Sequence, residues 1–272
     1  MDSIFLENEG LSRMLIFILV LILIISLEYF LPRRQLKLSK KKRWSTNFLL
    51  LLTDVFFVRL LLPVATVETA VIAQAHNIGL LNQFELPVMV NIVITIIVFD
   101  VFIYGQHVLF HKVNLFWSMH RVHHTDLEYD VTTGIRFHPA EIVISMLIKM
   151  LGILILGPAV IAIVIYEIVL SSASIFTHGN LRLPYNTDGL IRKIFITPDM
   201  HRIHHSVYRQ ETDSNYGSLF SCWDRLFKTY TDQPRDGQLD MTIGLEYFRD
   251  EQSQQYPSLL LLPIKTETRS ET

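Results

Sequence analysis

The sequence predicts an all-α fold: an integral membrane helical bundle, three N-terminal spans plus a helical hairpin, with a cytoplasmic histidine-rich helical cap holding a dinuclear metal site. Three observations predict it. Half of the 272 residues are hydrophobic and only 18% are charged, against about a quarter in a typical soluble domain. Long apolar runs recur, as a helix crossing a bilayer core of about 30 Å requires. Ten of the eleven histidines lie between His107 and His205. The near balance of 24 basic and 26 acidic residues excludes a nucleic-acid binder working through bulk positive charge. The single cysteine, Cys222, excludes an intramolecular disulfide framework and any cysteine-based metal cluster.

The first span runs from Met14 to Leu31 and meets its only charge at Glu28. A cleaved signal peptide fits less well, because Asp2, Glu7 and Glu9 make the preceding segment acidic and no small-residue cleavage site follows. Arg33 to Arg43 then carries seven basic residues and no acid, the mark of a cytoplasmic loop under the positive-inside rule. The second span is Phe48 to Val67, interrupted by Asp54 and Arg59, and the third is Leu86 to Tyr104, with Asp100 its only charge. No Lys or Arg stands between Arg59 and Lys112, so the loop around His76 belongs on the opposite side and His107 emerges in the cytoplasm. Ile142 to Phe176 is apolar around Gly157-Pro158. Proline lacks an amide donor and breaks a helix there, which predicts a hairpin, two short crossings or a re-entrant pair, that returns His178 to the side of His107. The chain divides into an N-terminal transmembrane region (1–98), a catalytic region (99–232) and a C-terminal cytoplasmic tail (233–272), whose last residues, Thr266 to Thr272, read as disordered.

The chemistry lies in three histidine boxes. One is His107 and His111; the others are His120-Arg-Val-His123-His124 and His201-Arg-Ile-His204-His205. A single HxxHH arises by chance roughly 0.02 times in a chain of this composition, so two are a signal. Positions i, i+3 and i+4 share one helix face, which aims each triplet at one point. Neutral imidazole binds iron, zinc, copper or nickel. Ten clustered histidines exceed the four ligands of one tetrahedral zinc and suit two adjacent ions with four or five nitrogens each. His138, before Pro139 and Glu141, is a ligand candidate that could instead cap a helix, and His178 closes the hairpin on the metal side. Asp100, Tyr104, His107 and His111 share a face, and Asp54 and Asp100, inside apolar runs, are functional or paired. Asp126, Glu128, Asp199, Asp213 and Asp224 are candidates to orient the imidazoles. Arg121 and Arg202 read as salt-bridge or headgroup-facing residues, and Trp223 to Tyr230 as a cap segment packed over the site or lying at the interface.

At these residues the sequence resembles the sterol desaturase/fatty acid hydroxylase superfamily of integral-membrane oxygenases. The carrying motifs are His107–His111, the two HR-[VI]-HH boxes, Arg136-Phe-His138-Pro-Ala-Glu141, His178-Gly-Asn180, and Asn215-Tyr-Gly followed by Trp223-Asp-Arg-Leu-Phe, over about residues 99–232. The resemblance implies a di-iron, O2-dependent enzyme that hydroxylates or desaturates a C–H bond of a lipid, hydroxylation being preferred. Its iron ligands would be His107, His111, His120, His123, His124, His201, His204 and His205, with His178 and His138. It also implies a separate cytochrome b5 or ferredoxin-type donor fed by an NAD(P)H reductase, since the sequence carries no such module. Only His178, with His138 earlier, stands where fatty acid 2-hydroxylases carry a further paired box, which places the chain nearer the sterol desaturase branch. The C-terminus carries no retrieval signal, in keeping with a bacterial inner membrane.

A membrane zinc peptidase lacks its HExxH here. A membrane haem protein would hold its histidines within the spans. A metal transporter would line several spans with polar groups, and only Asp54, Arg59, Asp100, Lys149 and Glu167 are available. The boxes make a direct prediction: His123→Ala or His204→Ala lowers bound metal and abolishes activity while the chain still inserts, and His76→Ala is silent. Elemental analysis of the purified variants checks it.

Overall fold

The computed structural model describes residues 8–62 and 64–266; the expectation for the C-terminal end falls mainly on residues 267–272, outside that range. Among the described residues the secondary structure is helical, with only three isolated bridges between extended segments. The long helices are α1 (Glu9–Phe30), α2 (Lys40–Leu61), α3 (Thr66–Ala75), α4 (Val88–Lys112), α5 (Asn114–His124), α6 (Pro139–Leu156) and α7 (Val160–Thr177). Short helices build the cap: α8 (Tyr185–Ile191), α9 (Pro198–His204), α10 (Arg209–Thr212), α11 (Cys222–Leu226), α12 (Gly237–Asp240) and α13 (Tyr256–Leu260). Five stretches, those of α1, α2 onward, α4, α6 and α7, are long and apolar enough to cross a membrane. The chain is a multi-pass membrane protein.

Several boundaries differ from the sequence expectation: α1 already begins at Glu9 and α2 at Lys40, so Lys40–Arg43 of the basic segment are helical. The second span ends at Leu61, and Thr66–Ala75 forms a separate short helix. The intervening Pro63 has no amide proton to continue the ladder. α3 packs against α6 and α7, burying Val67 and Ala70 against Phe99, Ile153 and Ile163. The third span is longer than its apolar run, because α4 continues through His107 and His111 to Lys112. A helix end needs no change of polarity when another surface, here the cap, covers the polar turns.

The predicted hairpin consists of two 18-residue helices, α6 and α7, each about 27 Å long at 1.5 Å per residue. Gly157 ends α6 with φ +64°, a left-handed conformation that costs a side-chain-bearing residue strain. A Cβ there would also stand 2.6 Å from the Ile78 carbonyl oxygen. The close approach lets Leu80 donate its amide to the Ile155 carbonyl at 3.0 Å, tying the hairpin tip to the loop after α3. At the other end of the hairpin, His138 precedes α6 and His178 follows α7, so both face the histidine end as predicted.

Outward residues such as Leu19 and Ile22 of α1 and Leu52 and Leu60 of α2 are exposed apolar surface, which hydrocarbon solvates. Glu167 of α7 is a partnered charge within the bundle: it meets Arg13 of α1 at 2.7 Å, lies 3.5 Å from Lys149 of α6, and accepts from the Thr66 hydroxyl at 2.7 Å, whereas Asp54 of α2 is buried with its Oδ1 unpartnered. At the histidine end, Glu28 accepts the amides of Val131 and Asn180. Arg43 reaches Asp126 at 2.8 Å and Asp130 at 2.7 Å. Arg136, fully buried, donates to the Val122 carbonyl, Asn47, Thr125 and Gln254. These ties fix α5 and the 3-10 turn Val131–Ile135 against α1 and α2.

The hairpin tip can be tested. Gly157→Ala lowers stability by at least about 1–3 kcal/mol. Gly105→Ala, in α4 with open space around its Cβ position, leaves it unchanged or raises it by about 0.5–1 kcal/mol. Thermal unfolding of both variants in detergent gives the comparison.

Candidate metal centre

The four elements α4, α5, α7 and α9 deliver nine imidazoles to one buried region. They fall into two groups whose candidate ligand atoms lie within 4.8 Å of one another: His107, His111, His120, His124 and His204 in one, His123, His178, His201 and His205 in the other. Each HxxHH box is split. His120 and His124 join the first group and His123 the second, while His201 and His205 join the second and His204 the first. The expectation that each triplet converges on one point is therefore corrected. The i and i+4 positions lie over one another, whereas i+3 is rotated to the neighbouring flank of the helix, so each box bridges both sites. The groups abut, the rings of His124 and His205 stacking at 4.6 Å.

The ring nitrogens show what the groups are suited to hold. His107 Nδ1 lies 2.8 Å from the Tyr216 carbonyl, His204 Nδ1 2.7 Å from the Ser214 carbonyl, and His178 Nδ1 2.8 Å from the Ser174 carbonyl. A carbonyl only accepts, so in each ring the proton is on Nδ1 and Nε2 carries a bare lone pair. Yet His107 Nε2 and His204 Nε2 face each other at 3.0 Å. Two lone pairs at that distance repel unless a cation sits between them. The other Nε2 contacts, His107–His120, His120–His124, His123–His178 and His178–His201, span 3.2–3.3 Å. Donors about 2.1 Å from a common metal ion stand about 3.0–3.4 Å apart in octahedral or tetrahedral arrangements. The donor set fits a metal ion in each group.

Burial completes the match. It pulls His120 down to about 3 and, against the Ser174 carbonyl, His178 to about 4; His123, His124, His201, His204 and His205 also lie well below the ordinary histidine value for the same reason. The rings are neutral near pH 7 and offer lone pairs. Both nitrogens of His111 and of His205, and Nδ1 of His123, His124 and His201, are buried without a hydrogen-bond partner.

His138 is not brought into either group. Its Nδ1 accepts the Ala140 amide at 3.2 Å and its Nε2 faces the Leu260 carbonyl at 3.1 Å, so both ring nitrogens are engaged in capping α6 and holding α13. His76 is likewise apart, at the end of α3. The orienting carboxylates also differ from expectation. Glu141, one turn into α6, meets His120 Nδ1 at 2.6 Å. Of the five candidates read from sequence, Asp213 lies 3.4 Å from His111 Nδ1. Asp126 is committed to Arg43, Glu128 to the Lys37 and Leu38 amides, and Asp199 to Arg33 and Arg202. Asp224 acts one step back, binding the Tyr216 and Gly217 amides so that the Tyr216 carbonyl meets His107.

The Asn215-Tyr-Gly motif has a direct purpose. Asn215 adopts φ +51°, which asparagine tolerates better than most residues, and its side chain bonds the Met200 and Thr231 carbonyls. That turn presents the carbonyls of Ser214 and Tyr216 to two different histidines. These backbone acceptors leave no trace in residue type and were missed; Glu141 was readable as a charge at the mouth of an apolar helix. Asp100 is paired rather than ligating, accepting from the Leu219 and Phe220 amides and the Trp223 indole. Arg121 and Arg202 are buried. Arg121 donates to the Leu262 and Lys265 carbonyls, and Arg202 pairs with Asp199.

Between the histidines and the bundle lies a cleft of about 190 Å³. His107, His120, His123, His178 and His201 form its head; Ile103, Phe110, Phe137, Ile142 and Leu170 line its apolar wall down to Lys149.

Fold and site define a class: a multi-pass membrane protein with two adjacent polyhistidine sites at one end of its bundle. The fatty acid hydroxylase family model matches residues 92–229, and the chain belongs to that family. It is similar to the ornithine lipid hydroxylase OlsE of Rhizobium tropici, 27% identical over 157 residues, 58% of this chain and 46% of that protein. Human alkylglycerol monooxygenase is 30% identical over 127 residues, 47% of this chain and 27% of the relative. Methylsterol monooxygenase 2-2 of Arabidopsis thaliana is 26% identical over 158 residues, 56% of this chain and 58% of the relative. The aligned part thus spans between about a quarter and three fifths of these relatives. No solved structure matches.

Glu141→Ala, which removes the partner of His120, weakens metal binding by about 10- to 100-fold. His138→Ala leaves the metal content unchanged. Metal titration of the two stripped and reloaded proteins separates an orienting role from a helix cap.

Proposed function

We propose that this chain is a di-iron lipid hydroxylase that uses O2 to convert a C–H bond of a membrane lipid into C–OH. The observation that carries the proposal is the five-plus-four division of nine imidazoles, eight buried and His107 half-buried, at the head of a mainly apolar cleft. The names of the relatives, hydroxylase and monooxygenase, support it. When bound, the iron pair supplies O2 activation, and the balance is one O2, two electrons and two protons for one alcohol and one water. A lipid is proposed as substrate because the cleft wall is apolar and runs into the bundle.

The protein's own part is positional. His107, His111, His120, His124 and His204 would hold one ion, and His123, His178, His201 and His205 the other. The Tyr216, Ser214 and Ser174 carbonyls fix three rings in the Nδ1–H form, and Glu141 orients a fourth. Phe137, stacked on His123 at 4.6 Å, and Trp117, beside His111 and His124, exclude water around the centre. The cleft would seat an acyl or sterol chain with one carbon at its histidine head. Electrons would come from a separate cytochrome b5 or ferredoxin-type carrier. The basic segment lies at the histidine end, with Arg33 on Asp199 and Arg43, in the first turn of α2, on Asp126, which supports a cytoplasmic orientation of the site and fits a bacterial inner membrane. A haem reading is disfavoured, since five converging donors leave no room for a porphyrin plane.

Purified protein should carry close to two irons per chain and no Soret band. With a reductase system and isotopically heavy O2, one heavy oxygen atom should appear in a lipid product. One zinc, a haem, or product oxygen drawn from water would overturn the proposal.

A further inference from the structure

The cap carries an apolar patch that the metal centre does not use. Leu190, Ile194, Phe195, Leu226 and Phe227 are exposed, Leu226 by 64% and Ile194 by 57%. They belong to one surface. Ser221 donates its amide to the Ile194 carbonyl and Ile196 to that of Leu219; the Phe195 ring stacks on Phe220 at 5.6 Å, and Arg225 bonds the Arg192 carbonyl. Contiguous apolar surface of this kind marks a site of interaction.

Its attachment identifies what covers it. Asp100 stands at the midpoint of α4 and accepts the Leu219 amide at 3.1 Å, the Phe220 amide at 3.0 Å and the Trp223 indole at 2.7 Å. One turn further on, the Tyr104 ring stacks on Phe227 at 5.3 Å and its hydroxyl meets Thr229 at 2.8 Å. The segment is thus docked on the flank of a spanning helix, about 18 Å along its axis from the end at Lys112. A bilayer core is about 30 Å thick, so this attachment lies within reach of lipid. Val93 and Ile97, on the face of α4 that carries Asp100 and Tyr104, are exposed apolar surface as well, next to the docked segment. Lys193 and Lys228 are exposed beside it, with stems able to lie along acyl chains while their ammonium groups reach headgroup phosphates.

We propose that residues 190–195 and 219–228 form a wedge seated in the membrane interface against α4, with the bilayer covering its apolar face. Gly217 and Ser218, just before the wedge, line the cleft, so the wedge sets that wall of the cleft at lipid level. The proposal depends only on α4 crossing the bilayer, and its failure leaves the assignment of the metal centre untouched.

The chain's only cysteine, Cys222, is exposed in this wedge and permits a test without mutation. A nitroxide on Cys222 of the wild-type protein, in phosphatidylcholine–phosphatidylglycerol bilayers, is probed by collision with O2, which concentrates in lipid, and with a water-soluble nickel chelate. The O2 collisions should exceed the nickel collisions several-fold, as for a label on Leu52→Cys in a Cys222→Ser background. A label on Gln252→Cys in the same background gives the aqueous pattern. An aqueous pattern at Cys222 overturns the proposal, as does shielding from both reagents with dipolar broadening from a second label, which would mean a protein covers the patch. Ile194→Asp combined with Leu226→Asp should raise nickel collisions at Cys222 several-fold with metal per chain unchanged; an unmoved nickel response also overturns it.

Discussion

Convergence of unprotonated imidazole nitrogens is the constraint on which the rest of the structure depends. A neutral histidine has one proton to place, and at His107, His204 and His178 a backbone carbonyl takes it on Nδ1. The Nε2 lone pairs are left facing inward, with His107 and His204 at 3.0 Å. Such an arrangement stores repulsion until a cation relieves it, so the shell of partners around the rings both selects the tautomer and creates the demand for metal. Because burial keeps these rings neutral at ordinary pH, proton binding competes with the metal only weakly there.

Holding nine rings in place is a problem of rigidity, and the fold meets it with buried polar ties. Arg43 grips Asp126 and Asp130, and Arg136 bonds four partners from α2, α5 and the cap. Breaking one side of such a buried network strands a charge, which is more costly than the net gain from forming it. These ties therefore specify geometry more than they add stability. Asn215 performs the same service with backbone conformation, turning two carbonyls toward histidines on different helices.

The membrane supplies the other half of the design. α4 carries His107 and His111 on the same helix whose lower turns are exposed apolar surface, so the histidine groups are fixed in height relative to those turns by covalent continuity. The cleft beside them, bounded by α4, α6 and α7, is lined mainly by apolar side chains, with Gln106, Ser145 and Lys149 among them. Asp100 shows how a charge within an apolar run is reconciled with its surroundings: three donors from the cap satisfy it, and in doing so bind the cap to the bundle.

Much was legible in residue order. Hydropathy located the long apolar helices but not their ends, Gly157-Pro158 located the hairpin turn, and the two HxxHH boxes with His107, His111 and His178 named all nine histidines that the fold gathers. Sequence could not assign them to groups, because each box straddles both sites and the division depends on how α5 and α9 face each other. It could not distinguish His138, a histidine of the same type in an equally suggestive motif, since its capping role is fixed by the Ala140 amide and the distant Leu260 carbonyl. Nor could it choose Glu141 over Asp126 or Asp199, because an orienting carboxylate is defined by proximity in space. Residue type and periodicity thus determined the apolar helical bundle of this protein and the set of imidazoles gathered at one end of it. The pairing of ligands, their protonation and their supports were decided by tertiary structure, because those depend on which groups meet across distant parts of the chain.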